Sequence, residues 1–215
     1  MPNQLFLNNV IKPLHNHFFS QARLNVLASE ISALIPVSVM FGGIDIGCGA
    51  GELLTQLSLR RPEIEFTGVD VIERVPSNAK QNFQYQNYDG KHLPFSDNAF
   101  SFSMLVDVLH HADEPKWVLA EAARVSRDFI IIKDHVCNSR IDNFLLKTMD
   151  WVGNKPAGVN LPYYYFSNQE WHVLFHELKL EIEKKVEKLK LYNAFISIIF
   201  GPKLHFIAKL KVEKS

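Results

Sequence analysis

Ile44-Asp45-Ile46-Gly47-Cys48-Gly49-Ala50-Gly51-Glu52-Leu53 is the stretch on which the fold turns. Residues 39–47 have the apolar character of a buried strand and run out into glycines at 47, 49 and 51. Residues 52–60 then carry a helical pattern. Glycines at this spacing permit a tight turn and let a ligand approach the backbone closely. A plain strand-to-helix turn would also use them, so their weight comes from what surrounds them.

Moving outward, short apolar runs at residues 64–71, 83–88, 100–108 and 129–133 read as further strands. The run at 129–133 is almost purely apolar, as expected of a strand covered on both faces of a parallel sheet. A helix is predicted over residues 115–125, where Asp113 and Glu114 precede Pro115. Upstream, Leu24, Leu27, Ala28, Ile31, Leu34 and Ile35 share one helical face between Ser20 and Pro36. A shorter helix carrying Phe6, Val10, Leu14 and Phe18 precedes it. Downstream, Ser167-Asn168-Gln169-Glu170 is a capping box opening a helix with Trp171, Leu174, Phe175 and Leu178 on one face. Charged alternation over residues 180–191 and strict alternation from Leu204 to Val212 then imply two strands with no helix between them, an antiparallel pair at the sheet's end.

Strands alternating with helices define an α/β chain with a Rossmann-like, doubly wound, mostly parallel sheet. The 215 residues suit a single domain. Within it we expect N-terminal helices and a candidate lid over residues 1–35, a cofactor-binding core over 37–135, an acceptor-side insertion and helix over 136–179, and C-terminal strands over 180–215. With 23 basic and 23 acidic residues, the chain lacks the basic excess that nucleic-acid binders carry, so no nucleic acid is expected. No apolar run is long enough to span a membrane and no N-terminal signal pattern appears. Two cysteines, Cys48 and Cys137, cannot build a disulfide framework and fit a reducing, cytoplasmic setting.

The charge of the glycine loop bears on its ligand. A dinucleotide fingerprint wants glycine or alanine three residues after Gly49, where this chain has Glu52, and Asp45 adds a second carboxylate. Two carboxylates would repel a pyrophosphate and suit a ligand carrying an ammonium and a sulfonium. Asp70 ends the second strand about twenty residues past the loop, where an acidic side chain takes a ribose hydroxyl pair.

The order of these features resembles the class I S-adenosylmethionine-dependent methyltransferases, in particular the large family of ubiquinone and small-molecule enzymes. Asp45 to Gly51 is similar to their first motif, Gly68-Val69-Asp70-Val71 to the acidic second motif, and Tyr88-Asp89-Gly90 with Leu93 to Asp97 to the third-strand region. Phe100 to His111, ending in Val108-Leu109-His110-His111, is similar to the fourth-strand signature. Ser101 departs from an acidic residue often found after Phe100, at a position away from the expected site.

The resemblance implies S-adenosyl-L-methionine as cofactor. It implies that Gly47, Cys48, Gly49 and Gly51 line the methionine portion and that Asp45 orients the ammonium. Asp70 would take the ribose hydroxyls, Val71 would pack on adenine, and Asp89, with Gly90, would meet the adenine amino group. Val106 and Asp107 would border the methyl group.

His110 and His135, after the fourth and fifth strands, are candidate bases in the event that the acceptor must lose a proton. Trp151, Tyr163, Tyr164 and Tyr165 lie in a Pro/Gly-rich stretch and are candidates for an aromatic acceptor wall; they suggest a small apolar or aromatic substrate. His15 and His17 point apart on a helix, and no metal site is read from the sequence. A non-catalytic adenosylmethionine-binding or adaptor domain, and a dinucleotide-dependent oxidoreductase, are the alternatives.

Overall fold

A computed structural model describes residues 21–73, 83–153, 162–187, 189–191 and 202–213. The first N-terminal helix, the Ser20 cap and the lid expected over the start of the chain lie outside them, apart from the second helix. The elements run α1 (Gln21–Leu34), β1 (Gly43–Ile46), α2 (Glu52–Arg60), β2 (Phe66–Asp70), β3 (Phe83–Asn87), β4 (Phe100–Val106), α3 (Pro115–Val125), β5 (Ser126–His135), α4 (Arg140–Gly153), α5 (Asn168–Glu177), β6 (Leu180–Glu187) and β7 (His205–Val212). Two short 3-10 turns, Leu109–His111 and Pro202–Leu204, complete the described secondary structure.

The seven strands form one sheet in the order β3-β2-β1-β4-β5-β7-β6. β1 to β5 are parallel, and β7 lies antiparallel between β5 and β6. Strand order reverses at β1 and β4, and ligands of open α/β sheets bind outside the carboxyl ends of strands at such a switch point.

Each face of the sheet carries its own apolar cluster. Leu27, Ala28 and Ile31 of α1 and Leu54 and Leu57 of α2 meet Phe102, Met104, Phe129 and Ile131 on one face. Leu119, Ala122 and Val125 of α3 and Trp171, Leu174 and Phe175 of α5 meet Leu105, Ile130 and Ile132 on the other. Alternate residues of β5 thus feed opposite clusters, which is why its sequence is apolar throughout rather than half polar.

The structure moves several expected boundaries. β1 begins only at Gly43, because the apolar residues before it, such as Met40 and Phe41, are exposed. β5 runs on to His135 because β7 pairs with it as far as His135 opposite His205. A helix, α4, occupies most of the stretch between β5 and the tyrosines, so Trp151 is helical rather than part of an open connection. Ser139 opens it: its Oγ accepts from the Asp142 amide at 3.1 Å.

Candidate active site

The glycine loop sits at the carboxyl end of β1. Gly47, Gly49 and Gly51 have φ of 78°, 60° and 79°, the left-handed region that side chains rarely adopt. The three differ in what surrounds them. A Cβ on Gly47 would strike Val108 and one on Gly51 would strike Phe83, so these two are glycine for packing. A Cβ on Gly49 would meet no described residue within 4 Å. That is the position where the loop backbone faces open space.

Asp70, at the end of β2, holds the loop in place. Its Oδ2 accepts from the Gly49 amide at 2.7 Å and its Oδ1 from the Ile72 amide at 2.8 Å, leaving each oxygen a further lone pair. Beyond it Val71 and Ile72 are exposed apolar side chains, and a Cβ on Gly90 would lie 3.0 Å from Val71, so these two residues adjoin. Asp89 is exposed, and its Oδ1 accepts from the amides of Lys91 and His92. The Cys48 thiol lies beneath the loop against Gly68, and burial followed by the charges of Asp45 and Asp70 pushes its pKa up. Its side chain therefore fills the turn, and only its backbone belongs to the loop.

Asp45 is buried in the middle of β1, with Oδ1 lacking a hydrogen-bond partner among the described residues. Burial, and then the charge of Asp70, raise its pKa to about 8. A buried carboxyl with an unsatisfied oxygen calls for a donor or a cation. Together with the open side of Gly49, it fits a ligand carrying an ammonium group.

A second set of polar residues gathers past the ends of β4 and β5. Val106 is half-buried at the end of β4; Asp107, which follows it, has a φ of 58°. The Asp107 carboxylate is shared by Lys133, reaching from β5, and by Arg23 of α1 at 2.6 Å. Burial works against its ionisation, but Lys133 and then Arg23 more than offset that and hold it well below the usual carboxylate range. The loop after it touches the glycine loop, since Val108 is the residue that crowds Gly47.

His110 and His135 both belong to this set. His110 Nδ1 lies 2.6 Å from Asp134 Oδ1, and its Nε2 lies 3.8 Å from Asp150 Oδ1 on α4. Burial pulls the His110 pKa down, but the Asp134 carboxylate beside it lifts it to about 9. His111 goes the other way, lowered to about 4 by burial and then by the charge on His110. His135 is lowered by burial first and then by Lys133 and His110. Its ring stands edge-on to His110 with centroids 4.5 Å apart, and its carbonyl accepts from the Trp171 indole at 2.9 Å.

Of the aromatic residues expected to form an acceptor wall, Tyr165 joins the cluster: it is buried and donates to Asp150 Oδ2 at 2.5 Å. Tyr164 is turned outward and donates to Glu170 at 2.7 Å. Trp151 is exposed on α4 and Tyr163 is half-buried with a φ of 56°. Sequence reasoning missed Arg23, Lys133, Asp134, Asp150 and His205 as members of the cluster. Lys133 and Asp134 had a visible signal, since charged residues that end an otherwise apolar strand must be paired if the strand is buried.

A Rossmann-like sheet with an acidic glycine loop at its switch point defines the class I S-adenosylmethionine-dependent methyltransferase fold. Residues 44–128 match the family described as a methyltransferase domain. That match covers the stretch from β1 into β5, the architecture is the class I methyltransferase fold, and S-adenosylmethionine is the cofactor indicated.

The chain is 30% identical over 87 residues to a ubiquinone/menaquinone biosynthesis C-methyltransferase of Desulfotalea psychrophila, 38% of this chain and 35% of that one. It is 29% identical over 92 residues to a tRNA (guanine-N(7)-)-methyltransferase of Prochlorococcus marinus, 40% of this chain and 38% of that one. The matches span less than half the length of these curated relatives. Among solved structures, the methyltransferase in complex with the Haloferax volcanii Trm112 activator superposes with a TM-score of 0.68 at 13% identity, over 98% of this chain and 94% of that one. A SAM-dependent methyltransferase of Thermotoga maritima, described as a possible histamine N-methyltransferase, gives 0.65 at 21% identity over 97% of both chains. At such identities the structures speak for the fold alone.

Proposed function

We propose that the chain transfers the methyl group of S-adenosylmethionine to a small-molecule acceptor whose reacting atom is an oxygen or nitrogen bearing a proton. The observation that carries this reading is the buried polar cluster of His110, Asp134, His135, Asp150 and Tyr165, joined through Val108 to the glycine loop. Buried polar groups are costly unless they are hydrogen-bonded or paired, and a cluster of this kind that keeps an unsatisfied His110 Nε2 beside the glycine loop is suited to gripping a polar reacting atom.

Bound at the loop, S-adenosylmethionine supplies a methyl group already activated by its sulfonium. The acceptor's lone pair forms the new bond to the methyl carbon, and the carbon–sulfur bond breaks with its pair returning to sulfur. The acceptor's proton passes to His135, or directly to water. The remaining residues align: Asp45 and Gly49 hold the methionine end, Asp70 the ribose, and Val71, Asp89 and Gly90 the adenine. Alignment of this kind can supply roughly 7–11 kcal/mol of the barrier. Residues 136–179 carry Asp150 and Tyr165 and form the acceptor side, with Tyr163 and Trp151 near it.

A balanced charge, 23 basic against 23 acidic residues, favours a small acceptor over the RNA substrate named for one relative. An acceptor with an apolar or aromatic body suits the buried ring of Tyr165. Among the described residues no helix is long and apolar enough to cross a membrane, and the free thiols Cys48 and Cys137 fit a cytoplasmic site of action.

A screen of phenols, carboxylic acids and amines, scored by S-adenosylhomocysteine release, tests the proposal. In it, His135→Ala should lower turnover by about 10²–10⁴-fold while leaving cofactor affinity within a few-fold. Methylation of tRNA with no small-molecule turnover would overturn the acceptor assignment.

A further inference from the structure

We infer that His110, His111 and Asp150 form a binding site for a divalent first-row transition ion beside the methyl-transfer centre. One ligand atom from each of these side chains lies within 4.8 Å of the other two, and His110 Nε2 and Asp150 Oδ1 are already 3.8 Å apart. Nitrogen and oxygen ligands bind zinc at roughly 2.0–2.2 Å, which places tetrahedral ligands about 3.4 Å from one another. The His110–Asp150 pair is within a few tenths of an ångström of that spacing, and side-chain movements of about an ångström bring all three ligand atoms to it.

An independent observation points at the same place. His110 is buried, and its Nε2 has no hydrogen-bond partner among the described residues. Its Nδ1 is held by Asp134 at 2.6 Å, which orients the ring so that Nε2 faces Asp150. A carboxylate on the far nitrogen of a histidine is the usual support for a metal-ligating ring, fixing its tautomer and raising its basicity. Asp150 has support of its own, since Tyr165 donates to its Oδ2 at 2.5 Å.

A neighbouring trio, Asp107, His110 and His135, is also close enough to hold an ion. The Asp107 carboxylate is already neutralised by Lys133 and Arg23, and two cations at that point would repel a third. Two imidazoles and one carboxylate leave an open coordination position, the arrangement found in catalytic sites rather than closed structural ones.

The use of the ion rests on the methyltransferase reading: in the open position it would hold the acceptor's oxygen and make its proton easier to lose. Its existence does not rest on that reading, and the test separates the two. Full-length protein stripped with a chelator is titrated with Co²⁺ while visible d–d absorption is followed, and adenosylmethionine affinity is measured on the same samples. The wild type should take up one equivalent with an absorption band characteristic of nitrogen and oxygen ligands. His111→Gln and Asp150→Asn should lose the band, and Asp134→Asn should weaken metal affinity by roughly 10–100-fold. Cofactor affinity should stay within a few-fold in every variant, which also certifies the fold. A wild type with no band, or variants that retain it, overturns the metal site. A wild type that takes up Co²⁺ but not adenosylmethionine upholds the metal site and overturns the methyltransferase reading instead.

Discussion

Single residues in this chain carry opposite duties under the same chemical name. Three glycines in five positions look alike in sequence, yet only Gly49 faces open space, while Gly47 and Gly51 are pressed by Val108 and Phe83. Asp45 and Asp70 are both acidic, but Asp70 is bonded to two amides and Asp45 keeps an unsatisfied oxygen. With a pKa raised from 3.8 to about 8, Asp45 is favoured in its protonated form by the fold. Its contribution to stability is therefore complete below the unfolded value, falls as pH rises, and is lost once pH passes through about 8. Asp45→Asn should remove that slope and be more stable than wild type above pH about 8, as urea titrations at several pH values would show. Binding of a cation against Asp45 requires the ionised carboxylate. Adenosylmethionine affinity should accordingly rise with pH up to about 8 and then level off, with proton release measurable by calorimetry in buffers of different ionisation enthalpy. A pH-independent affinity in the wild type would remove Asp45 from the ammonium site.

At the scale of elements, what was legible in the sequence is what local pattern determines. α2 and α3 fall on the expected residues because their apolar spacing and their starts, Gly51 and Pro115, are local signals. The capping box at Ser167 is present in full: Ser167 Oγ accepts from the Glu170 amide at 3.2 Å, and the Ser167 amide donates to the Glu170 carboxylate at 2.7 Å. Ser167→Ala should lower stability by about 1 kcal/mol, read as a shift in urea midpoint at unchanged slope; an unshifted midpoint would mean that the helix is held by Trp171 and its neighbours alone. What was not legible depends on distant partners. The last residues of β5 are strand because β7 returns alongside them, and α4 was hidden by the glycines and proline that follow it. The same holds for the site: Gly49 and Asp70 lie on adjacent strand ends and could be paired by motif, whereas Arg23, Asp107 and Lys133 meet across three elements.

Across the whole molecule, the glycine loop and the polar cluster lie side by side at the carboxyl ends of β1, β2, β4 and β5, and the proposed function makes them two halves of one centre. α1 is tied into it as well, since it packs its apolar face on the sheet and sends Arg23 to Asp107. Removing that arm as Arg23→Ala strips Asp107 of one of its two close cations, and should cost on the order of 1.5–3 kcal/mol and speed amide exchange in α1. Unchanged exchange there would show that the apolar face alone secures the helix. In the proposed function S-adenosylmethionine lies against the open side of Gly49. Calorimetric titration of the wild type and Gly49→Val with adenosylmethionine, adenosylhomocysteine and NAD tests it most directly. The wild type should bind the first two and not NAD, and Gly49→Val should keep its circular dichroism spectrum but bind none of them. Binding of NAD in place of adenosylmethionine, or an unaltered adenosylmethionine affinity in a folded Gly49→Val, would contradict it.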